Sequence, residues 1–192
     1  MFRFLGLSLL ILLSACTGDN THKWRSGIAW TGLVDQQNLD AGNHWAIDND
    51  ADIYIATPKQ TLFDDQFHDE LIEVFRRYYP KTQTSGQRET LQQSFESAQY
   101  AGMDYLVYPI LRKRIARKGF DLVTSKEIKI EELRRPVLEM DILIYSTNTE
   151  EIVDHLQIET KGSIFSPDET ALIWPPLNDY LKKLSQYSAI GN

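Results

Sequence analysis

One stretch of alternating side chains constrains the fold of this chain more than any other. Between residues 137 and 146 apolar residues alternate with acidic ones, so that Leu138, Met140, Ile142 and Ile144 share one face and Glu139 and Asp141 the other. A turn at 147–149 and a returning segment with Ile152, Leu156 and Ile158 follow. Period-two alternation indicates a half-buried strand. The two segments therefore predict an antiparallel hairpin with one face on a core.

Two other short segments are apolar without alternation. Residues 104–111 are apolar on both faces, which is typical of a central strand in a covered sheet. Residues 53–56 predict a second buried strand, because a short apolar run ends there at Thr57-Pro58.

Helical periodicity appears between these strands. Residues 57–60 have the form of a capping box with Pro at the first helical position, and apolar residues from 63 to 78 recur at helical spacing up to Pro80. A second helix is predicted from about Arg88 to Ala101, with Gly102 as the cap that ends it.

The closing segment predicts a third helix. Residues 166–169 form a second capping box, Pro175-Pro176 interrupts the segment, and apolar residues from 177 to 184 lie at helical spacing. The element order β-α-β-α-β-β-β-α predicts an α/β or α+β fold, a single sandwich-type domain with a mixed sheet and amphipathic helices. We assign this domain to residues 51–187 and a C-terminal tail to residues 188–192.

The amino terminus has the order of a signal peptide. Arg3 precedes an apolar run from residue 4 to residue 13, and the small residues Ser14 and Ala15 follow. This run is about half the ~20 residues that cross a bilayer as a helix. Residues 1–15 are therefore predicted to be removed.

Residues 13–16, Leu-Ser-Ala-Cys, resemble the lipobox of bacterial lipoproteins. The resemblance implies that Cys16 carries a diacylglyceryl group, that the chain is cut before it, and that the new amino group is acylated, with palmitate among the chains. Thr17 stands where Asp is the usual signal for inner-membrane retention, which favours the periplasmic face of the outer membrane; surface display is the alternative. Cys16 is the only cysteine, so lipidation leaves no thiol for disulfides or metal binding.

Residues 16–50 predict a lipid-anchored tether, because they are rich in Asn, Asp, Gly and Thr and lack a periodic pattern. Three of the four tryptophans lie there: Trp24, Trp30 and Trp45. They predict either docking onto the domain as a strand or clasp, or an interfacial contact with lipid or a partner.

Two further stretches carry a family resemblance. With the lipobox and the length of 192 residues, residues 101–109 and 175–184 resemble a domain-of-unknown-function family of Gram-negative lipoproteins of about this size. More loosely, the order of elements is similar to the amino-terminal domain of the Tol-Pal translocation protein, the curli secretion lipoprotein and the lipoprotein activators of peptidoglycan synthases. This second resemblance implies binding and assembly without catalysis; fold similarity alone is a weak guide to function.

The net charge and the spacing of the histidines limit which partners and metal sites the chain can be expected to have. Without Arg3, 19 basic side chains face 27 acidic ones, a balance of −8 that argues against nucleic acid as a partner. The histidines His22, His44, His68 and His155 show no metal-ligand spacing. Asp64 and His68 lie one helical turn apart on a polar face and predict a solvated pair. We expect no catalytic residues, no metal and no cofactor.

The sign of the charge reverses locally between residues 112 and 135. The seven cations that we single out as a candidate site for an anionic partner are Arg112, Lys113, Arg114, Arg117, Lys118, Arg134 and Arg135. They suit phosphate or carboxylate groups of lipids or of an acidic protein. The alternative is a solvated strand or hairpin whose cations protect an edge from pairing.

Together these features predict a non-catalytic binding or scaffolding module of the bacterial envelope, anchored by lipid and facing a protein or polymer partner. The alternative is an envelope hydrolase acting on glycan or peptide.

Overall fold

Seven strands and three helices make up the described structure. The computed structural model describes residues 34–41, 47–60, 63, 65–115, 135–162 and 170–188. The strands are β1 (Val34–Ala41), β2 (Ile53–Ile55), β3 (Thr57–Pro58), β4 (Arg88–Glu89), β5 (Tyr105–Ile115), β6 (Val137–Ser146) and β7 (Ile152–Gly162). The helices are α1 (Asp65–Arg76), α2 (Leu91–Tyr100) and α3 (Trp174–Ser188), and a 3₁₀ turn, Thr170–Ile173, leads into α3.

Five of these strands form one mixed sheet in the order β1-β7-β6-β5-β2. The pairs β1–β7, β7–β6 and β6–β5 are antiparallel, and β2 is parallel to β5. Strands β3 and β4 form a separate parallel pair. The predicted α+β class with a mixed sheet and amphipathic helices is confirmed.

One face of this sheet, which we call the covered face, is fully apolar at its centre. The side chains predicted to share a face of β6 are all buried there, and Leu156 and Ile158 of β7 join them. The 3₁₀ turn packs on β6 and β7, α3 packs on β7 and β1, and α1 packs on both the turn and α3. This face holds the main core.

Helix α2 covers one end of the opposite face. Its Phe95 and Ala98 pack with Tyr54, Leu106 and Tyr145 of the sheet, and the rings of Phe95 and Tyr145 meet edge to face at 5.1 Å. The helix begins with a capping box between Thr90 and Gln93 and ends before Gly102, whose φ is +68°. Gly102 thus ends the helix as predicted, because glycine adopts a left-handed conformation without steric cost.

Two predicted helix starts were wrong. Thr57 and Pro58 do not begin a helix, because they pair with Arg88 and Glu89 as β3 and β4. Because Arg88 and Glu89 are in that strand pair, α2 starts at Leu91 rather than near Arg88.

The two ends of the predicted domain also differ from expectation. Residues 34–41, assigned to the tether, form β1 and pair with β7 from Ala41↔Leu156 to Val34↔Gly162. Pro175 and Pro176 do not interrupt α3, because they lie in its first turn, where a missing N–H breaks no helical hydrogen bond.

Several predictions fall on residues outside the described part. They are the signal peptide, Cys16 and its lipobox, the three tether tryptophans, the capping box at 166–169 and the tail beyond 188. None of the helices that are described combines the length and apolar character needed to span a membrane.

Candidate functional site

The sheet face that α2 covers at one end is exposed beyond it, and we call that exposed part the open face. Directly opposite residues in antiparallel strands point to the same side, so the register places Tyr108 beside Leu143 and His155, and Ile110 beside Asp141 and Gln157. The open face comprises Tyr108, Ile110, Arg112 and Lys113 of β5, Glu139, Asp141 and Leu143 of β6, and His155, Gln157 and Glu159 of β7. All of these side chains except Asp141 are half-buried or exposed.

A β-bulge brings two consecutive cations onto this face. Leu111 lies opposite Met140 and Lys113 lies opposite Glu139, so Arg112 is an extra residue without a partner in the ladder. In a regular strand successive side chains point to opposite faces. Because of the bulge, Arg112 and Lys113 both reach carboxylates of β6 on the open face.

Asp141 is the centre of the charge network on the open face. It is 5% exposed and forms an ion pair with the Arg112 guanidinium, while its other oxygen lies 3.5 Å from Nε2 of His155. Beside it, Lys113 Nζ donates to Glu139 Oε1 at 2.6 Å. A buried carboxylate is strongly destabilising without a partner, so Arg112 is positioned to compensate Asp141.

The structure divides the seven predicted cations into three groups. Arg112 and Lys113 lie together on the open face, each paired with a carboxylate. Arg114 and Arg135 also take part in interactions. Arg117, Lys118 and Arg134 lie outside the described residues. Arg112 and Lys113 therefore belong to mixed-charge pairs rather than to a uniformly basic patch.

His68 is not solvated, which corrects the prediction for the Asp64–His68 pair. It is 6% exposed, and its Nε2 lies 2.9 Å from Thr57 Oγ1 and 3.1 Å from Thr84 Oγ1. Burial lowers the pKa of His68, and the nearby carboxylates Asp69 and Asp65 oppose this effect. The histidine thus links β3 to the segment after α1; Asp64 lies outside the described residues.

Two residues of the network were not singled out from the sequence. Asp141 had been placed only on the polar side of its strand, and His155 only among unpaired histidines. The predicted hairpin held only part of the signal, because a β-bulge after its turn shifts the register by one residue and so places Leu143 opposite His155. Asp141 and His155 are then diagonal neighbours on one face.

The hydrolase alternative predicts a deep pocket lined by carboxylates. Two clefts with carboxylates occur among the described residues: one of 290 Å³ near Asp48, Asp50 and Asp104, and one of 470 Å³ beside Glu89 and Glu96. Both open widely to solvent, and the described residues contain no group of three or more acidic, histidine or cysteine side chains arranged to hold a metal ion. The hydrolase stays a prediction without a specific supporting feature.

Comparison with known proteins gives a fold and a family. No curated protein matches the chain in sequence. The PelC dodecamer of Paraburkholderia phytofirmans is similar in structure, with a TM-score of 0.60 and 9% identity over 78% of this chain and 98% of that one. Its L103M variant gives a TM-score of 0.57 and 10% identity, over 76% and 99%. The sequence profile of a family described as a domain of unknown function, DUF4823, matches residues 45–184. The chain therefore belongs to the DUF4823 family.

Proposed function

We propose that this protein is a lipid-anchored lipoprotein of the Gram-negative envelope that binds an envelope protein or polymer through the open face and catalyses no reaction. The observation that carries the proposal is the open face itself. It lies on the three long strands β5, β6 and β7 and carries the ion pairs Arg112–Asp141 and Lys113–Glu139, whereas the other side of the same strands is buried.

The physical character of the open face supports recognition of a macromolecule. Half-buried apolar and aromatic side chains, Tyr108, Ile110 and Leu143, lie among the charges. An apolar centre with polar surroundings is typical of protein interfaces. Because Arg112 and Lys113 already have partners of opposite sign, the surface would select a partner by the arrangement of its charges rather than by net attraction.

The anchor rests on the lipobox at residues 13–16 and on Thr17. Two or three acyl chains hold a protein firmly at a membrane, since one myristoyl chain alone binds only marginally. The PelC protein of similar fold is a dodecamer, which supports a role through assembly and makes a second copy of this chain one of the partners to be tested.

Photo-crosslinking in cells tests the binding role. A photoreactive amino acid is placed at Gln157 or Glu159 on the open face of the full-length protein, and at Lys183, an exposed residue of α3, as the matched control. We expect adducts of higher mass from the two open-face positions and none from Lys183. Monomer alone from every position, or equal adducts from Lys183, would contradict the proposal.

Replacement of the lipidated residue tests the anchor. Cys16→Ser should leave an uncleaved precursor without lipid, detected by its mass and by failure to float with membrane vesicles. Thr17→Ser, a change next to the modified residue that keeps a small hydroxyl side chain, should be processed normally. Normal cleavage and flotation of Cys16→Ser would overturn the assignment.

A further inference from the structure

A second surface feature runs along α2 beside β4, and no residue of the open face lines it. It is a cleft of 470 Å³ lined by Arg88 and Glu89 of β4 and by Gln93, Glu96, Ser97 and Tyr100 of α2. We call it the β4–α2 cleft. Its volume lies within the range of small-molecule sites, roughly 300–1,000 Å³.

Glu89 lies at the base of the β4–α2 cleft and is only 7% exposed. Tyr54 Oη lies 3.0 and 2.9 Å from its two carboxylate oxygens, and Ser97 Oγ donates to Oε1 at 2.7 Å. Burial raises the pKa of Tyr54, and the Glu89 carboxylate adds to this effect, so the phenol keeps its proton and donates. Two neutral donors thus hold the carboxylate in one orientation.

No described cation compensates the charge of Glu89. Arg88, which also lines the cleft, is engaged elsewhere: its guanidinium donates to the Gln60 carbonyl at 3.1 Å and lies 3.8 Å from Asp65. Lys59 Nζ donates to the side chain of Gln93 at 2.9 Å. Because an ionised carboxylate has about four acceptor positions, Glu89 can accept a further donor, and a cationic one would remove the energetic penalty of its burial.

Two more side chains favour a cation in the cleft. Glu96 is exposed, and its carboxylate accepts from the amide of Gln92 at 3.3 Å. Tyr100, one helical turn further along α2, is 96% exposed. An exposed aromatic ring beside carboxylates provides a face over which a cation or its aliphatic stem can lie.

We propose that the β4–α2 cleft binds a primary ammonium group on an aliphatic chain, such as a polyamine or a lysine side chain. The ammonium donates to Glu89 and Glu96, and its methylenes lie against Tyr100. A guanidinium fits less well, because its fork needs both carboxylate oxygens and the Tyr54 hydroxyl lies close to both. Divalent cations such as Ca²⁺ need six or more oxygens, and no such cluster exists among the described residues.

Titration calorimetry with matched probes tests the proposal on the mature, lipidated protein in non-ionic detergent. The probes are 1,5-diaminopentane, the neutral pentane-1,5-diol of the same length, and Nα-acetyl-lysine amide. We expect both ammonium probes to bind, the diol not to bind, and the affinity to fall with added salt. Tighter binding of the diamine than of the lysine derivative identifies a polyamine as the source of the ammonium, and the reverse order identifies a protein side chain.

Four variants locate the site. Glu89→Gln should weaken diamine binding at least ~10-fold, the loss of a charge-assisted hydrogen bond. Glu96→Gln and Tyr100→Ala change exposed side chains, so the protein should still fold; each should weaken diamine binding about 3-fold. Glu151→Gln, at an exposed carboxylate outside the cleft, should leave it unchanged. The proposal is overturned by no binding at up to about 10 mM diamine, by equal binding of the diol, or by unchanged affinity in Glu96→Gln and Tyr100→Ala.

Discussion

The two faces of strands β5, β6 and β7 differ in burial and in the kind of side chain that they carry. On the covered face the apolar residues of β6 and β7 are buried, and two buried acids accept from side-chain donors: Tyr180 donates to Asp154, and Trp174 Nε1 donates to Glu70. Among the described residues, the buried hydroxyl of Thr160 has no hydrogen-bond partner. On the open face most side chains are only half-buried and the charges are paired near solvent. The comparison indicates that stability resides on one side of the sheet and leaves the other side free to carry recognition.

The largest expected effect is the removal of Trp174. Its side chain is fully buried, donates to Glu70 and lies under the Arg77 guanidinium at 4.3 Å. Trp174→Ala should reduce the free energy of unfolding by about 3–5 kcal/mol, measured by urea denaturation. Tyr100→Ala, an aromatic truncation at an exposed position, is the control and should change it by less than about 0.5 kcal/mol. Similar losses of unfolding free energy in the two variants would contradict the conclusion that stability resides on the covered face.

A smaller effect is expected from one buried hydroxyl. Burial and the Asp154 carboxylate raise the pKa of Tyr180, so its hydroxyl stays protonated and donates to that carboxylate. Tyr180→Phe leaves Asp154 without this donor and should lower the free energy of unfolding by about 1–3 kcal/mol. Tyr108→Phe, the same change on the open face, should have almost no effect. If Tyr108→Phe were the more destabilising variant, the open face would have a structural role that we do not assign to it.

The pH dependence of stability should come from His68. Burial lowers the pKa of His68 in the folded protein below its ordinary value of 6.5, so the unfolded chain binds the proton more readily. The free energy of unfolding should therefore fall as the pH drops through about 6.5, by up to about 1.4 kcal/mol per pH unit, and level off below the folded-state pKa. Denaturant titrations at several pH values measure this slope.

Two histidine variants show which residue causes the pH dependence of the unfolding free energy. His68→Gln should flatten it, whereas His155→Gln, on the open face, should retain it. If the pH dependence disappeared only in His155→Gln, its source would be on the open face and the assignment to His68 would be wrong.

The smallest effect is expected from an ion pair of the open face. Lys113 and Glu139 are both substantially exposed, so Lys113→Gln should change the free energy of unfolding by less than about 0.5 kcal/mol. Arg112→Gln should have a larger effect, because its partner Asp141 is buried. Thermal unfolding of the two variants ranks them, and a larger loss for Lys113→Gln would contradict the assigned role of Asp141.

Local patterns predicted the sheet well where burial follows the period of the strand. The alternation at 137–146 identified β6 and its buried side chains, since one face of that strand lies on the main core. The capping box at Thr57 failed, because pairing with Arg88 and Glu89 outweighed a local preference. Strand β1 lacked a pattern of its own and is defined by its pairing with β7, more than a hundred residues away.

The candidate site was only partly predictable for a similar reason. The run of cations drew attention to Arg112 and Lys113, but a count of charges along one segment cannot show which acids other strands bring to it. The pairing register of β5, β6 and β7 places Asp141 next to Arg112 and His155. Glu89 was missed because its burial depends on α2 closing over β4, a contact between elements that no local pattern records.

The bulge in β5 has a consequence for how relatives of this chain can vary in length. Because Arg112 is the extra residue, a strand lacking it would still pair Leu111 with Met140 and Lys113 with Glu139, now without interruption. Deletion at this one position would remove the bulge and keep every other side chain on its present face. A family member shorter by one residue here would keep the architecture and present one side chain fewer on the open face, so strand length would report whether the bulge has been inherited.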